Sequence, residues 1–533
     1  MAIKVSTANA ATEAALRHLD QLVADQFASR LFAQDATLWG EAAVDESAKR
    51  LGWTAAHEVS QPLVAQIATV RDELRTHGVT RIVLCGMGGS SLAPEVMART
   101  AEIELDVLDS TNPEHVADVL ESDLAHTAVV VSSKSGSTVE TDSQRRAFIE
   151  AFEQLGIDPA ERIIIVTDPG SPLAQWAQEA GYRHFLADPT VGGRFSALTA
   201  FGLVPTGLAG LDIAAVLADA ASVAPELAAD SPENPGLVLG AALAGGVPLK
   251  TYVGIVEDGT PIVGFGDWAE QLIAESTGKE GKGLLPVVLG SNAPEIGLPI
   301  PDLQVVRLVA DAADTPAQGD EIAVSGTLAE QLLLWEVAVA VAGRIIGINP
   351  YDQPDVESAK AAARELLDTT PEPEPAAFVE GAIAVRGTEE VLRGDATVKD
   401  AVAALLSLLP AGGYVSVQAY ANRLAAQQLT ESRELIAHRS RRPVTFGWAP
   451  RFLHSTGQFH KGGPRVGVFL QITTDEDVDV EIPGRPFTFG RLIAAQATGD
   501  ASVLAAAGMP VLRLELTDPE AGAQQLLDAL RHL

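Results

Sequence analysis

Residues 81–91 read Arg-Ile-Val-Leu-Cys-Gly-Met-Gly-Gly-Ser-Ser, and residues 127–138 read Thr-Ala-Val-Val-Val-Ser-Ser-Lys-Ser-Gly-Ser-Thr. Each opens with a short, β-branched apolar run of the kind that forms a strand buried on both faces. Each then breaks into Gly and Ser, and helical patterns follow at 91–100 and 138–154. A buried strand, a loop rich in glycine and hydroxyls, and a helix together make one βα unit of a parallel sheet. In such sheets the loops at the carboxyl ends of the strands line the ligand crevice. Glycine lets the backbone approach a ligand, and the helix N-terminus offers unpaired N–H groups and positive dipole charge. The second loop packs hydroxyl and ammonium donors into 132–138, which makes it a phosphate cradle. The first loop is neither a dinucleotide fingerprint nor a P-loop. Ser91 stands where the fingerprint needs Gly or Ala, and no Gly-Lys-Ser/Thr follows.

Around these two units β-branched runs recur at 104–108 and 162–166, alternating with helical stretches, so a first α/β lobe is predicted over 76–215. The preceding 75 residues read as helical: Leu16, Leu19, Leu22 and Val23 recur at helical spacing, as do Val64, Ile67, Val70 and Leu74. A second alternation starts near 235, with strands at 251–256 and 284–289 and a helix near 267–277 between them. Helices at 327–345 and 353–368 follow, and the Pro/Glu-rich segment 368–376 reads as an exposed connector. Strand patterns then resume at 414–418, 443–448, 466–472 and 510–516, and are expected to complete the second sheet. The predicted fold is α/β: two doubly wound parallel-sheet lobes, 76–215 and 216–533, behind an N-terminal helical segment, 1–75.

The composition narrows what such a protein binds. Seventy-one acidic residues against 37 basic ones give a formal charge of −34, which excludes a nucleic-acid partner. A phosphorylated ligand must therefore find cations and N–H groups concentrated locally, as the two loops concentrate them. Cys85 is the only cysteine, so an intrachain disulfide and a cysteine-rich zinc site are both excluded, and its apolar neighbours make it a buried strand residue. The most apolar helical stretch, 332–346, is interrupted by Glu336 and Arg344, so no membrane span is expected. The first residues, MAIKVSTANA, carry no secretion pattern, and a cytoplasmic location is expected.

Five segments then carry a family resemblance. GMGGSSLAP (86–94) resembles the glycine-serine loop of phosphoglucose isomerases, and SSKSGSTVET (132–141) resembles the phosphate loop shared across the sugar-isomerase (SIS) superfamily. VGGRFSALTAFGL (191–203) is similar to the family's Gly-Gly-Arg-aromatic-Ser segment, and QLIAESTGK (271–279) to its helix bearing the catalytic glutamate. NPYDQPDVESAK (349–360) resembles the Asp-Gln…Val-Glu…Lys segment, and the long C-terminal region resembles the isomerase half of transaldolase–phosphoglucose isomerase fusions.

The resemblance implies two SIS-type lobes and interconversion of glucose 6-phosphate and fructose 6-phosphate through a cis-enediolate, with no metal or organic cofactor. Glu275 would carry the proton between C2 and C1, and Arg194 would stabilise charge on the enediolate oxygens. Gly89, Ser90, Ser133, Lys134, Ser135 and Thr138 would hold the substrate at its phosphate, with Gln271 and Gln353 on sugar hydroxyls. Lys360 and a histidine would open the ring. The family's histidine precedes the lysine segment, whereas here none occurs between Glu275 and Lys360. The nearest likeness is FLHSTGQFHKGGP (452–464), which favours His460, with His454 as its rival. The resemblance also implies a homodimer in which one protomer supplies a residue to the other's site. Two other readings share these motifs: an isomerase that also takes mannose 6-phosphate, and a non-catalytic phosphosugar sensor. The acidic charge and the lack of a basic helical N-terminus speak against the sensor.

Overall fold

In the computed structural model, which describes residues 3–369, 374–392, 394 and 396–533, strand Arg81–Gly86 lies inside an all-parallel five-stranded sheet. Its order is Asp106–Leu108, Arg81–Gly86, Thr127–Ser132, Ile163–Thr167, Arg183–Leu186. The strand order reverses between Arg81–Gly86 and Thr127–Ser132, where Gly86 pairs with Ser132. Both glycine-serine loops therefore leave the sheet side by side at its switch point, as the doubly wound reading requires. The middle strands are buried on both faces, and Cys85 is fully buried, with its thiol pKa pushed up by desolvation.

A second five-stranded sheet has the order Leu285–Leu289, Tyr252–Glu257, Leu303–Leu308, Ile322–Ser325, Lys4–Thr7. All its pairs are parallel except the last, in which Lys4 faces Ser325. The N-terminal segment is thus helical only in part, since its first strand closes a sheet edge. That strand is four residues long and half-buried, too short to show a period. Helix Leu328–Ile346 is buried along most of its length against helices Pro235–Ala244 and Ile213–Leu227. It starts with a capping box, in which the Thr327 side chain accepts from the Glu330 N–H and Glu330 accepts from the Thr327 N–H. These two sheets belong to one unit of the chain, Met1–Asp109, Asp123–Ser291 and Asp302–Gln353.

The C-terminal strands correct the sequence reading. They do not complete the second sheet but form a six-stranded sheet of their own, ordered Phe378–Glu380, Ile383–Gly387, Val511–Leu516, Gly467–Thr474, Tyr414–Tyr420, Val444–Trp448. The cause is a separate core. Val415, Val417, Leu470, Ile472, Leu512 and Leu514 bury one face under helices Val398–Ser407, Glu431–Ser440 and Pro519–Arg531. The antiparallel pair Ile383–Gly387 and Val511–Leu516 then ends the parallel run. Sequence periodicity identifies strands but not their pairing partners. This second unit comprises Ser110–Ser122, Asn292–Pro301 and Pro354–Leu533. The expected connector at 368–376 lies partly outside the described residues, at 370–373. Among the described residues no helix is long and apolar enough to cross a membrane.

Candidate active site

In the first unit the Arg194 segment, the Glu275 helix and the first glycine loop pack against one another. The short turns Gly88–Ser90 and Gly193–Phe195 touch each other, and both touch helix Phe265–Thr277. Gly89 is required by that packing, because a Cβ at Gly89 would overlap the Gly193 carbonyl. Ser196 reinforces the contact: its hydroxyl donates to the Gly193 carbonyl at 2.6 Å and to the Gly89 carbonyl at 3.4 Å. Ser90 is buried beside it.

Arg194 is 4% exposed and spends its whole fork on fixed partners. Its Nε donates to the Ser276 hydroxyl (2.8 Å), Nη1 to Gln353 Oε1 (2.8 Å), and Nη2 to the carbonyls of Pro350 (2.7 Å) and Asp352 (3.1 Å). Nη1 also lies 3.2 Å from Glu275 Oε1. Burial pushes the guanidinium's pKa down, and the neighbouring Glu275 and Asp352 carboxylates pull it back. Gln271, one turn before Glu275 on the same helix face, donates to Glu275 Oε2 at 3.0 Å. Each carboxylate oxygen therefore has its own partner, while the Glu275 side chain keeps 15% exposure among otherwise buried neighbours. The result is a carboxylate and a cation held at fixed distance, with limited access to solvent. Such a pair suits moving a proton next to an oxygen that gains negative charge.

In the 132–138 loop the hydroxyls bond within the loop, and the lysine is paired. Ser133 is buried, and its hydroxyl donates to Thr138 Oγ1 at 3.1 Å just before helix Val139–Gln154. Ser135 is exposed, and its hydroxyl accepts from the Ser137 N–H at 3.2 Å. Lys134 is not a free cation, because its ammonium pairs with Asp168 just beyond strand Ile163–Thr167. Burial pushes the Lys134 pKa down and the Asp168 pKa up, and each partner opposes the other's shift. A cation the sequence did not disclose stands nearby. Arg50, held by Glu46 at 2.7 Å, exerts its charge on Lys134, Asp168 and Arg194. No sequence signal marks it, since it follows Lys49 in a turn that belongs to none of the motifs. A second cation, Lys279, ends the QLIAESTGK segment without having been given a role; it lies two residues past the Glu275 helix and is 1% exposed.

Lys360 and the two histidines belong to the second unit. Lys360, on helix Glu357–Thr369, pairs with Glu357 at 2.9 Å and is 37% exposed. His454 is half-buried in the turn Arg451–His454, and its charge also acts on Glu357. His460, favoured from the sequence, has quite different surroundings. It is 2% exposed, with Nδ1 2.8 Å from the Tyr414 hydroxyl and Nε2 3.4 Å from the Ser416 hydroxyl. Its ring stacks on Tyr414 and meets Phe469 edge-on. Burial, with a contribution from Lys461, lowers its pKa to about 3, so it stays neutral and packed. Among the described residues no group of three or more His, Cys, Asp or Glu side chains is arranged to hold a metal.

Comparison with known proteins adds independent findings. Residues 56–248 match the family model described as phosphoglucose isomerase. A probable glucose-6-phosphate isomerase of Haloarcula marismortui is 30% identical over 338 residues, covering 54% of this chain and 78% of that protein. A glucose-6-phosphate isomerase of Rubrobacter xylanophilus is 29% identical over 367 residues, covering 55% and 83%. The crystal structure of a glucose-6-phosphate isomerase from Chlamydia trachomatis superposes with a TM-score of 0.54 over 67% of this chain and 86% of that one. At 19% identity, that likeness is one of fold.

Proposed function

Since the chain belongs to the phosphoglucose isomerase family and isomerises glucose 6-phosphate to fructose 6-phosphate, we propose that Glu275 and Arg194 carry the chemical step. With the sugar open, Glu275 removes the C2 proton, the C2–H electrons form the C1–C2 double bond, and the C1 carbonyl oxygen takes the negative charge. Arg194 faces that charge. The C2 hydroxyl proton passes to the C1 oxygen, Glu275 returns its proton to C1, and the C2 oxygen becomes the ketose carbonyl. The observation that carries this reading is the Arg194 Nη1–Glu275 Oε1 approach of 3.2 Å, with Gln271 on the other carboxylate oxygen. Ser90, Ser133, Ser135 and Thr138 would receive the phosphate, and Lys134 would do so while sharing its charge with Asp168.

Ring opening is assigned to Lys360 and to His454, which share the Glu357 neighbourhood, in place of the buried His460. The family resemblance supports a cytoplasmic homodimer, whose mass light scattering would read. Replacing Glu275 by Gln keeps the side chain's size and removes the base. The expected result is a loss of about 1,000-fold or more in kcat, with no exchange of the C2 hydrogen into deuterated water. Full turnover, or undiminished exchange, in Glu275→Gln refutes the assignment.

A further inference from the structure

Lys279 is the least accessible ammonium near the site, and nothing in its immediate sequence demands a cation there. Burying an ammonium costs several kcal/mol unless its donors are matched, so its partners state its purpose. All three come from one short stretch: the Asn349 carbonyl (2.8 Å), the Asp352 carbonyl and Asp352 Oδ1 (2.7 Å). The Asp352 carbonyl is also an acceptor for Arg194 Nη2, and the next residue, Gln353, accepts from Arg194 Nη1. Two buried cations therefore grip the same loop. Lys279 reaches it from the segment that carries Glu275, and Arg194 lies between the loop and Glu275.

We infer that Lys279 is a positioning residue, which clamps the 349–353 loop so that the Arg194 guanidinium is held beside Glu275. The inference rests on the roles proposed above for Arg194 and Glu275. Without the ammonium, the Asn349 and Asp352 carbonyls lose a donor and the loop relaxes, so the acceptors that aim Arg194 move with it. No hydrogen bond links Lys279 to residues 132–138 among those described, so recognition of the phosphate persists. The signature is a loss of turnover without a loss of binding, because the interaction removed matters most in the transition state.

The test is a mutant cycle in the purified full-length enzyme with glucose 6-phosphate. Lys279→Met is expected to lower kcat about 30- to 100-fold with KM within about 3-fold, as expected for a misplacement near 1 Å. In an Arg194→Lys background, where the fork that reads the loop is gone, the same change should cost less than about 3-fold. Lys279→Gln, which keeps N–H donors in the slot, should retain more activity than the Met variant. Where Lys279→Met fails to fold by circular dichroism, Lys279→Gln takes its place in the cycle. Unchanged kcat in Lys279→Met, a loss confined to KM, or equal fold-losses in both backgrounds overturns the positioning role. Glu275→Gln separates the two layers. If it is fully active, the site assignment itself is wrong; if it is inactive while Lys279→Met turns over normally, only the clamp is wrong.

Discussion

Gly89→Ala is the smallest change that should reach the chemistry through packing alone. Gly89 does not need a left-handed backbone; what excludes a side chain is the Gly193 segment lying across it. An added Cβ would overlap the Gly193 carbonyl oxygen and stand 3.1 Å from the Gly193 Cα, where unstrained carbon contacts are about 3.5–4.0 Å. The neighbours are backbone on both sides, so no rotamer change relieves the clash. The Gly193–Phe195 turn must move by something on the order of 1 Å, and Arg194 moves with it. Overpacking of this kind costs about 1–3 kcal/mol in stability, and a displacement of that size at a catalytic group costs about 100-fold in rate. The assay is steady-state conversion of fructose 6-phosphate, coupled to oxidation of the glucose 6-phosphate formed, alongside urea unfolding. The matched control is Gly193→Ala. Its Cβ would meet nothing within 4 Å, so it should keep kcat within about 3-fold. The reasoning is refuted if Gly89→Ala is as active and as stable as that control.

Two further outcomes separate the histidines and test the buried ammonium. His454→Gln should lower turnover of the cyclic substrate by about 100-fold or more, the share expected of one acid–base group, as read by kcat with wild-type unfolding. His460→Phe should instead change stability more than kcat, and the reverse ranking would return the ring-opening role to His460. For Lys279, burial lowers the folded-state pKa from 10.5 to about 8, so between those values the unfolded chain binds the extra proton. Stability therefore rises with pH across that window, and the burial penalty is present in full only below about pH 8. Relative to Lys279→Met, the wild type should gain on the order of 3 kcal/mol between pH 8 and 10.5, and a flat difference in urea unfolding would contradict it.

How far the sequence reached depended on whether a feature was local. Both glycine-serine loops were legible because strand, loop and helix follow one another within about thirty residues, and the sheet placed them at its switch point. Glu275 and Arg194 were named through resemblance, but their mutual approach joins residues 82 apart at Ser276 and 159 apart at Gln353, which no periodicity records. The clamp by Lys279 was invisible for the same reason, since its acceptors lie 70 and 73 residues downstream. His460 was favoured from its neighbours along the chain, and Tyr414 and Ser416, on a strand more than 40 residues earlier, bury it together with Phe469. The independent C-terminal sheet was missed because alternating patterns specify a strand's faces, not its neighbours.

The pairing of Lys4–Thr7 with Ile322–Ser325 has a consequence in time as well as space. The first strand leaves the ribosome about 320 residues ahead of the edge it will cover. At about 5–20 residues per second, it waits roughly 15–60 s with its backbone unpaired. During that interval the all-parallel sheet, complete by Leu186, has the residues it needs to form, whereas the sheet that Lys4–Thr7 closes does not. Synthesis therefore orders the two sheets: the one that presents the 132–138 loop is complete in sequence first, and the other waits until Ile322–Ser325 can meet Lys4–Thr7.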